Sequence, residues 1–195
     1  MLSLSKYIKI KEEKEMLTPY IEKNKITLIH GESGSGKTVF ILEHLNSNAI
    51  TPILLDFDDN EPEEIKEMSL ECTLVDGELF MEDYPDNLSL LENQVVIIDT
   101  WTLFHKYIGD ENTAYNMLKK WTEKYNITII ILAHTQPFSG KEDKPEVADH
   151  IYRHIKARLY IRRTTLKSSI EYHLLIEKLR GYKGNKIIEL RKETI

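Results

Sequence analysis

The amino-acid sequence predicts an α/β fold: a mainly parallel central sheet flanked by helices, with antiparallel strands at the C-terminal end. Three observations predict it. Apolar runs at 26–30, 53–57, 95–98 and 127–133 show no polar alternation, as strands buried on both faces require. Segments with helical spacing separate several of these runs, so strand and helix alternate. β-rich segments then follow one another at about 156–163, 170–178 and 185–190, as in hairpins.

The 195 residues suit one compact domain, residues 1–195, with enough chain to bury a real core. The first 24 residues read as a helical lead-in, with Tyr7, Ile8, Ile10, Met16, Leu17 and Ile21 as apolar positions among charges. Ile26 to His30 is a strand, and Val39 to Leu45 has helical spacing. Thr51-Pro52 breaks that helix, and Ile53 to Phe57 is the next strand. Asp58 to Glu67 is acidic, with Pro62 placed to open a helix. Cys72 to Val75 reads as a strand and Leu88 to Leu91 as part of a short helix. Val95 to Ile98 is an apolar strand ended by Asp99. Residues 112–125 put Ala114, Leu118, Trp121 and Tyr125 on one helical face. Ile127 to Ala133 is a buried strand, residues 136–149 a polar loop, and Gly181 to Asn185 a turn between late strands.

Composition narrows the function classes. A formal net charge of -6 excludes a polycation that coats nucleic acid, so any nucleic-acid contact is a local patch. The single cysteine, Cys72, excludes an intrachain disulfide and a cysteine zinc cluster. The N-terminus lacks the apolar core of a signal peptide, and the run from Ile127 to Ala133 is too short to span a bilayer. The expected location is the cytoplasm, with no membrane contact.

Gly31-Glu32-Ser33-Gly34-Ser35-Gly36-Lys37-Thr38 matches G-x-x-x-x-G-K-T in full, between a strand and a helix. The glycines let the backbone wrap a phosphate, and the helix aims its first N–H groups at the anion. Lys37 reaches the β- and γ-phosphates, and the Thr38 hydroxyl ligates Mg²⁺. Residues Gly31 to Thr38, with Val39, form the expected nucleotide cradle. Asp99, at the end of an apolar strand, is the expected second group at the Mg²⁺. Thr100 rather than Glu follows it, so the base that activates water has to come from another strand end. Asp58 and Asp59 follow the second strand at the carboxyl edge, where open α/β sheets bind ligands. Lys178 and Arg180 share one side of a late strand, where two cations can neutralise transition-state charge.

With these residues the chain resembles the RecA-like ATPases, especially the KaiC and RadA group. Phe57-Asp58-Asp59 followed by Pro62-Glu63-Glu64-Ile65 is similar to the KaiC pattern. It departs by Asp for Glu at both acidic positions and by one extra residue before the proline, which implies slow hydrolysis. Ala133-His134-Thr135-Gln136 resembles the sensor segment, which implies that His134 touches the γ-phosphate. Glu177-Lys178-Leu179-Arg180-Gly181 resembles the segment whose Lys and Arg reach the neighbouring subunit's γ-phosphate. The resemblance covers about 25–192, without an added DNA-binding or second ATPase domain. It implies ATP rather than GTP and a homo-oligomer with ATP at subunit interfaces.

The resemblance also implies single-stranded DNA along 136–167. That segment carries Arg153, His154, Lys156, Arg158, Arg162, Arg163 and Lys167, with Tyr152, Tyr160 and Phe138 to stack on bases. A solvated basic face balancing the acidic segments is the alternative. Three roles stand open: an accessory recombinase paralogue in DNA recombination or repair, with a recombinase as partner; a hexameric replicative helicase-type ATPase; or a KaiC-like regulatory module with a protein partner and no DNA contact. The small size favours the first.

Overall fold

In the computed structural model the described residues are 16–58, 65, 67–136, 144–179 and 186–194. The strands are β1 Met16–Thr18, β2 Ile21–Glu22, β3 Ile26–Gly31, β4 Ile53–Asp56, β5 Thr73–Asp76, β6 Val95–Asp99, β7 Thr128–Gln136, β8 Lys144–Pro145, β9 Ala157–Thr165, β10 Ser169–Lys178 and β11 Lys186–Thr194. The helices are α1 Lys37–Asn46, α2 Gly77–Glu82, α3 Trp101–Ile108, α4 Glu111–Tyr125 and α5 Asp149–His154, with a 3-10 turn at Asp86–Leu91.

Eight strands run in the order β11-β10-β9-β3-β7-β6-β4-β5, and β8 pairs with β7. From β9 to β5 all neighbours are parallel, while β10 is antiparallel to both β9 and β11. The central strands are mostly apolar because both faces are covered. On one face Ile41, Leu42 and Leu45 of α1 pack on Ile29, Leu54, Ile97, Ile130 and Leu132. On the other, Trp101, Phe104, Leu118 and Trp121 pack on Leu28, Leu55, Ile98 and Ile131. The rings interlock: Phe104 and Trp121 meet at 6.4 Å and 64°, an edge-to-face contact.

Local chemistry sets the helix ends. The Asp110 carboxylate accepts the Thr113 N–H at 2.9 Å and starts α4. Asn126, left-handed at φ 55°, ends it.

The structure corrects the lead-in. Residues 16–22 are not helical but form a hairpin, β1 against β2, with Ile21 fully buried. Alternating apolar and charged residues suit an extended chain as well as an amphipathic helix, and Ile21 packing beside α1 decides between them. Residues 1–15 and the predicted turn at 181–185 lie outside the described residues. The polar loop contains β8, and α3, α2 and α5 occupy stretches where the sequence showed no helix.

Candidate nucleotide-binding site

β3, β7, β6 and β4 are neighbours, and their carboxyl ends lie side by side: Gly31 pairs with His134, and Asp56 with Asp99. Each end delivers one part of the site.

β3 runs into the glycine-rich loop. Gly34 and Gly36 have φ of 70° and 80°, a conformation open to glycine. Gly31 has a different reason to be glycine. A Cβ there would sit 2.4 Å from the Ile161 carbonyl oxygen of β9. The loop closes on itself through the Ser35 N–H, which donates to the Glu32 carbonyl at 3.1 Å. Lys37 opens α1 and turns back over the loop, donating to the carbonyls of Gly31 at 3.2 Å and Glu32 at 3.0 Å. Burial lowers its pKa, partly offset by the charges of Asp99 and Asp58.

The Thr38 hydroxyl donates to Asp99 Oδ2 at 2.7 Å. Burial pushes the Asp99 carboxyl up to about 6, against the lowering effect of that hydrogen bond. The peptide that follows Asp99 is cis. A hydroxyl and a carboxylate in contact are hard oxygen donors. They fit Mg²⁺, which takes one or two protein ligands and fills its sphere with water and phosphate oxygens. Among the described residues no group of three His, Cys, Asp or Glu side chains converges, as a dedicated all-protein metal cage would need.

His134, level with Gly31, has Nδ1 3.5 Å from Lys37 Nζ and Nε2 3.9 Å from Asp58 Oδ2. An ammonium only donates, so Nδ1 accepts and the ring proton sits on Nε2. Burial first, and the Lys37 charge second, lower the His134 pKa. Asp58 is exposed just past β4, its N–H bonded to Asp56 Oδ1 at 3.0 Å.

Beside the loop, a cavity of about 690 Å³ runs along α1, lined by Gly34, Gly36, Phe40, Met68, Tyr172 and Leu190. Its aromatic walls adjoin the glycine-rich loop, and its volume lies in the range of small-molecule sites. Phe40 follows the motif by two residues, but Tyr172 lies far from it in the sequence. Only the rule that a nucleoside has to lie beside its phosphates pointed toward such residues.

Asp59 and Arg180 lie outside the described residues. Lys178 does not join the site of its own chain. It pairs with Arg158, which pairs with Leu28, toward the amino end of the parallel strands. There it lines a second cavity, of about 780 Å³, with Lys23, Lys25 and Lys156.

The basic segment divides. Arg153, His154, Lys156, Arg162, Arg163 and Lys167 are exposed. Arg158 is half-buried, its guanidinium 4.0 Å from the Tyr152 ring centre. Tyr160 is 7% exposed and stacked on His30, so base stacking by Tyr160 does not hold. Phe138 lies outside the described residues. No described helix is long and apolar enough to cross a membrane.

No family model and no curated protein sequence matches the chain. Solved structures do. A KaiC-like protein from the hyperthermophilic archaeon Pyrococcus horikoshii superposes with a TM-score of 0.63 at 14% identity, over 90% of this chain and 91% of that one. A RadB recombinase superposes with a TM-score of 0.61 at 16% identity, over 88% of each chain. The sheet order, the loop at the end of β3 and these superpositions agree: the chain has the RecA-like fold of the KaiC and RadA group.

Proposed function

We propose that the chain binds ATP with Mg²⁺ and hydrolyses it slowly, as an accessory recombinase paralogue in DNA recombination or repair. One observation carries the hydrolytic reading: Lys37, the Thr38–Asp99 pair, His134 and Asp58 gather at one sheet edge, brought there by four adjacent strands.

Gly31 to Val39 hold the phosphates through backbone N–H groups and the positive end of α1. Lys37 exchanges its two loop carbonyls for β- and γ-phosphate oxygens. Thr38 and Asp99 hold Mg²⁺, which when bound neutralises charge on the phosphates. His134 donates its Nε2 proton toward the γ-phosphate. Asp58 orients the attacking water and accepts its proton, with Asp59 the next candidate. Phe40 and Tyr172 flank the base. Lys178, remote from its own loop, acts with Arg180 on the nucleotide of a neighbouring copy in a homo-oligomer. The exposed cations of 153–167 contact single-stranded DNA. The DNA role draws support from the likeness to the RadB recombinase.

Nucleotide titration with Mg²⁺, followed by hydrolysis with and without single-stranded DNA, tests this reading. Lys37→Ala should weaken ATP binding by about a hundredfold or more, having lost the cation of the cradle. Asp58→Asn should bind ATP normally and turn over poorly; normal turnover moves the base to Asp59. ATP binding with no response to DNA would favour the KaiC-like regulatory role instead.

A further inference from the structure

Successive side chains of a strand leave opposite faces of the sheet. His134 on β7 leaves on the α1 side and Thr135, next in sequence, on the other. On β10 the register shifts between Ile176 and Lys178, so Glu177 and Lys178 both face that far side, where Lys178 Nζ donates to the Arg153 carbonyl at 3.4 Å. His30, the residue before the loop, leaves on that same far side with Leu28.

There the three neighbours of site residues meet. His30 is fully buried, with Nδ1 3.1 Å from Thr135 Oγ1 and Nε2 2.9 Å from Glu177 Oε2. Its ring stacks on Tyr160 of β9 at 4.9 Å and 17°. From α5, Tyr152 donates its hydroxyl to the same Glu177 oxygen at 2.7 Å. Arg158 donates to the Tyr152 carbonyl at 2.8 Å and lies over its ring. Burial alone would raise the Glu177 pKa. The hydrogen bond and charge of His30, with Tyr152 and Arg158, outweigh it and hold the carboxyl below its usual range.

Burying such groups is costly, and apolar residues of similar volume often serve stability as well or better. A hydrogen-bonded polar cluster instead fixes one geometry. We propose that His30 and Glu177 are positioning residues of the hydrolytic site, tying β3, β7 and β10 together from the far face so that the cradle and His134 keep their relative places.

This rests on the hydrolytic reading of the site, so the test begins with the full wild-type chain. It is titrated with a fluorescent ATP analogue and Mg²⁺, and single-turnover hydrolysis of ATP is then timed. His30→Phe keeps the stack on Tyr160 and removes both hydrogen bonds. Glu177→Gln keeps the shape and removes the charge. Thr135→Val removes one hydroxyl. The expected result is affinity within about threefold of wild type and single-turnover rates at least about tenfold lower for His30→Phe and Glu177→Gln, because small misplacements cost rate before binding. Should His30→Phe not fold, Glu177→Gln and Thr135→Val decide by the same split, with a smaller loss for Thr135→Val. Wild-type rates in the folded variants, or affinity falling in step with rate, overturn the proposal. A wild-type chain that binds no nucleotide overturns the cradle reading itself, and that result appears before any variant is measured.

Discussion

Asp99 holds a carboxyl where a charge is poorly solvated. Its folded pKa of about 6 lies above the ordinary 3.8, so the unfolded chain ionises first as pH rises. Stability of the nucleotide-free protein therefore falls between about pH 4 and pH 6 and levels off above, by roughly 2–3 kcal/mol at about 1.4 per pKa unit. Asp99→Asn removes that penalty and can still accept the Thr38 hydrogen bond. Denaturant titration should show the variant more stable than wild type near neutrality and no more stable at pH 4. Mg²⁺-dependent nucleotide binding should be lost. Glu177 has the opposite sign. Its lowered pKa means stability present above the ordinary carboxylate range and lost as pH falls below it. At Gly31 the objection to a side chain is a backbone oxygen that has little room to yield. Gly31→Ala should lower the melting temperature and weaken nucleotide binding together, since loop and β9 have to part to admit the methyl group.

At the level of elements, α4 shows what sequence spacing can carry. Ala114, Leu118 and Trp121 are all fully buried, as their helical face required. Trp121→Ala should cost about 3–5 kcal/mol, by analogy with other buried aromatic truncations, and Asp110→Ala about 1 kcal/mol through the lost cap. Thermal or denaturant unfolding checks both. The glycine-rich loop was legible because its residues are consecutive, and Asp99 because an apolar strand ends on it. α3 was not, since Trp101 to Ile108 follows a strand directly, with only Thr100 between, and no separate helix start marks it. The β1–β2 hairpin was misread because three- and two-residue strands are too short for either period to register. The His30 cluster was invisible for another reason: its partners stand 105 and 147 positions away, and no local pattern marks a meeting that only the sheet order creates. Tyr172 was missed likewise.

For the whole molecule, the lysine-lined cavity and the phosphate loop lie toward opposite ends of the parallel strands. Copies stacked head to tail would bring one against the other, a heterologous contact that closes into a ring or runs into a filament. Lys37→Ala and Lys178→Ala should each be nearly inactive alone. Mixed in equal amounts, they should regain about a quarter of wild-type hydrolysis, because one interface in four then joins an intact loop to an intact Lys178. No recovery on mixing, with both variants still assembling, would rule out action across the contact.

β3 is hydrogen-bonded on both sides, to β7 and to β9, and sits between two cores. A strand so enclosed has no route to open by itself; its amides exchange with solvent only when the molecule comes apart. Capture of the nucleotide and the integrity of the sheet should therefore disappear at one urea midpoint, not one after the other.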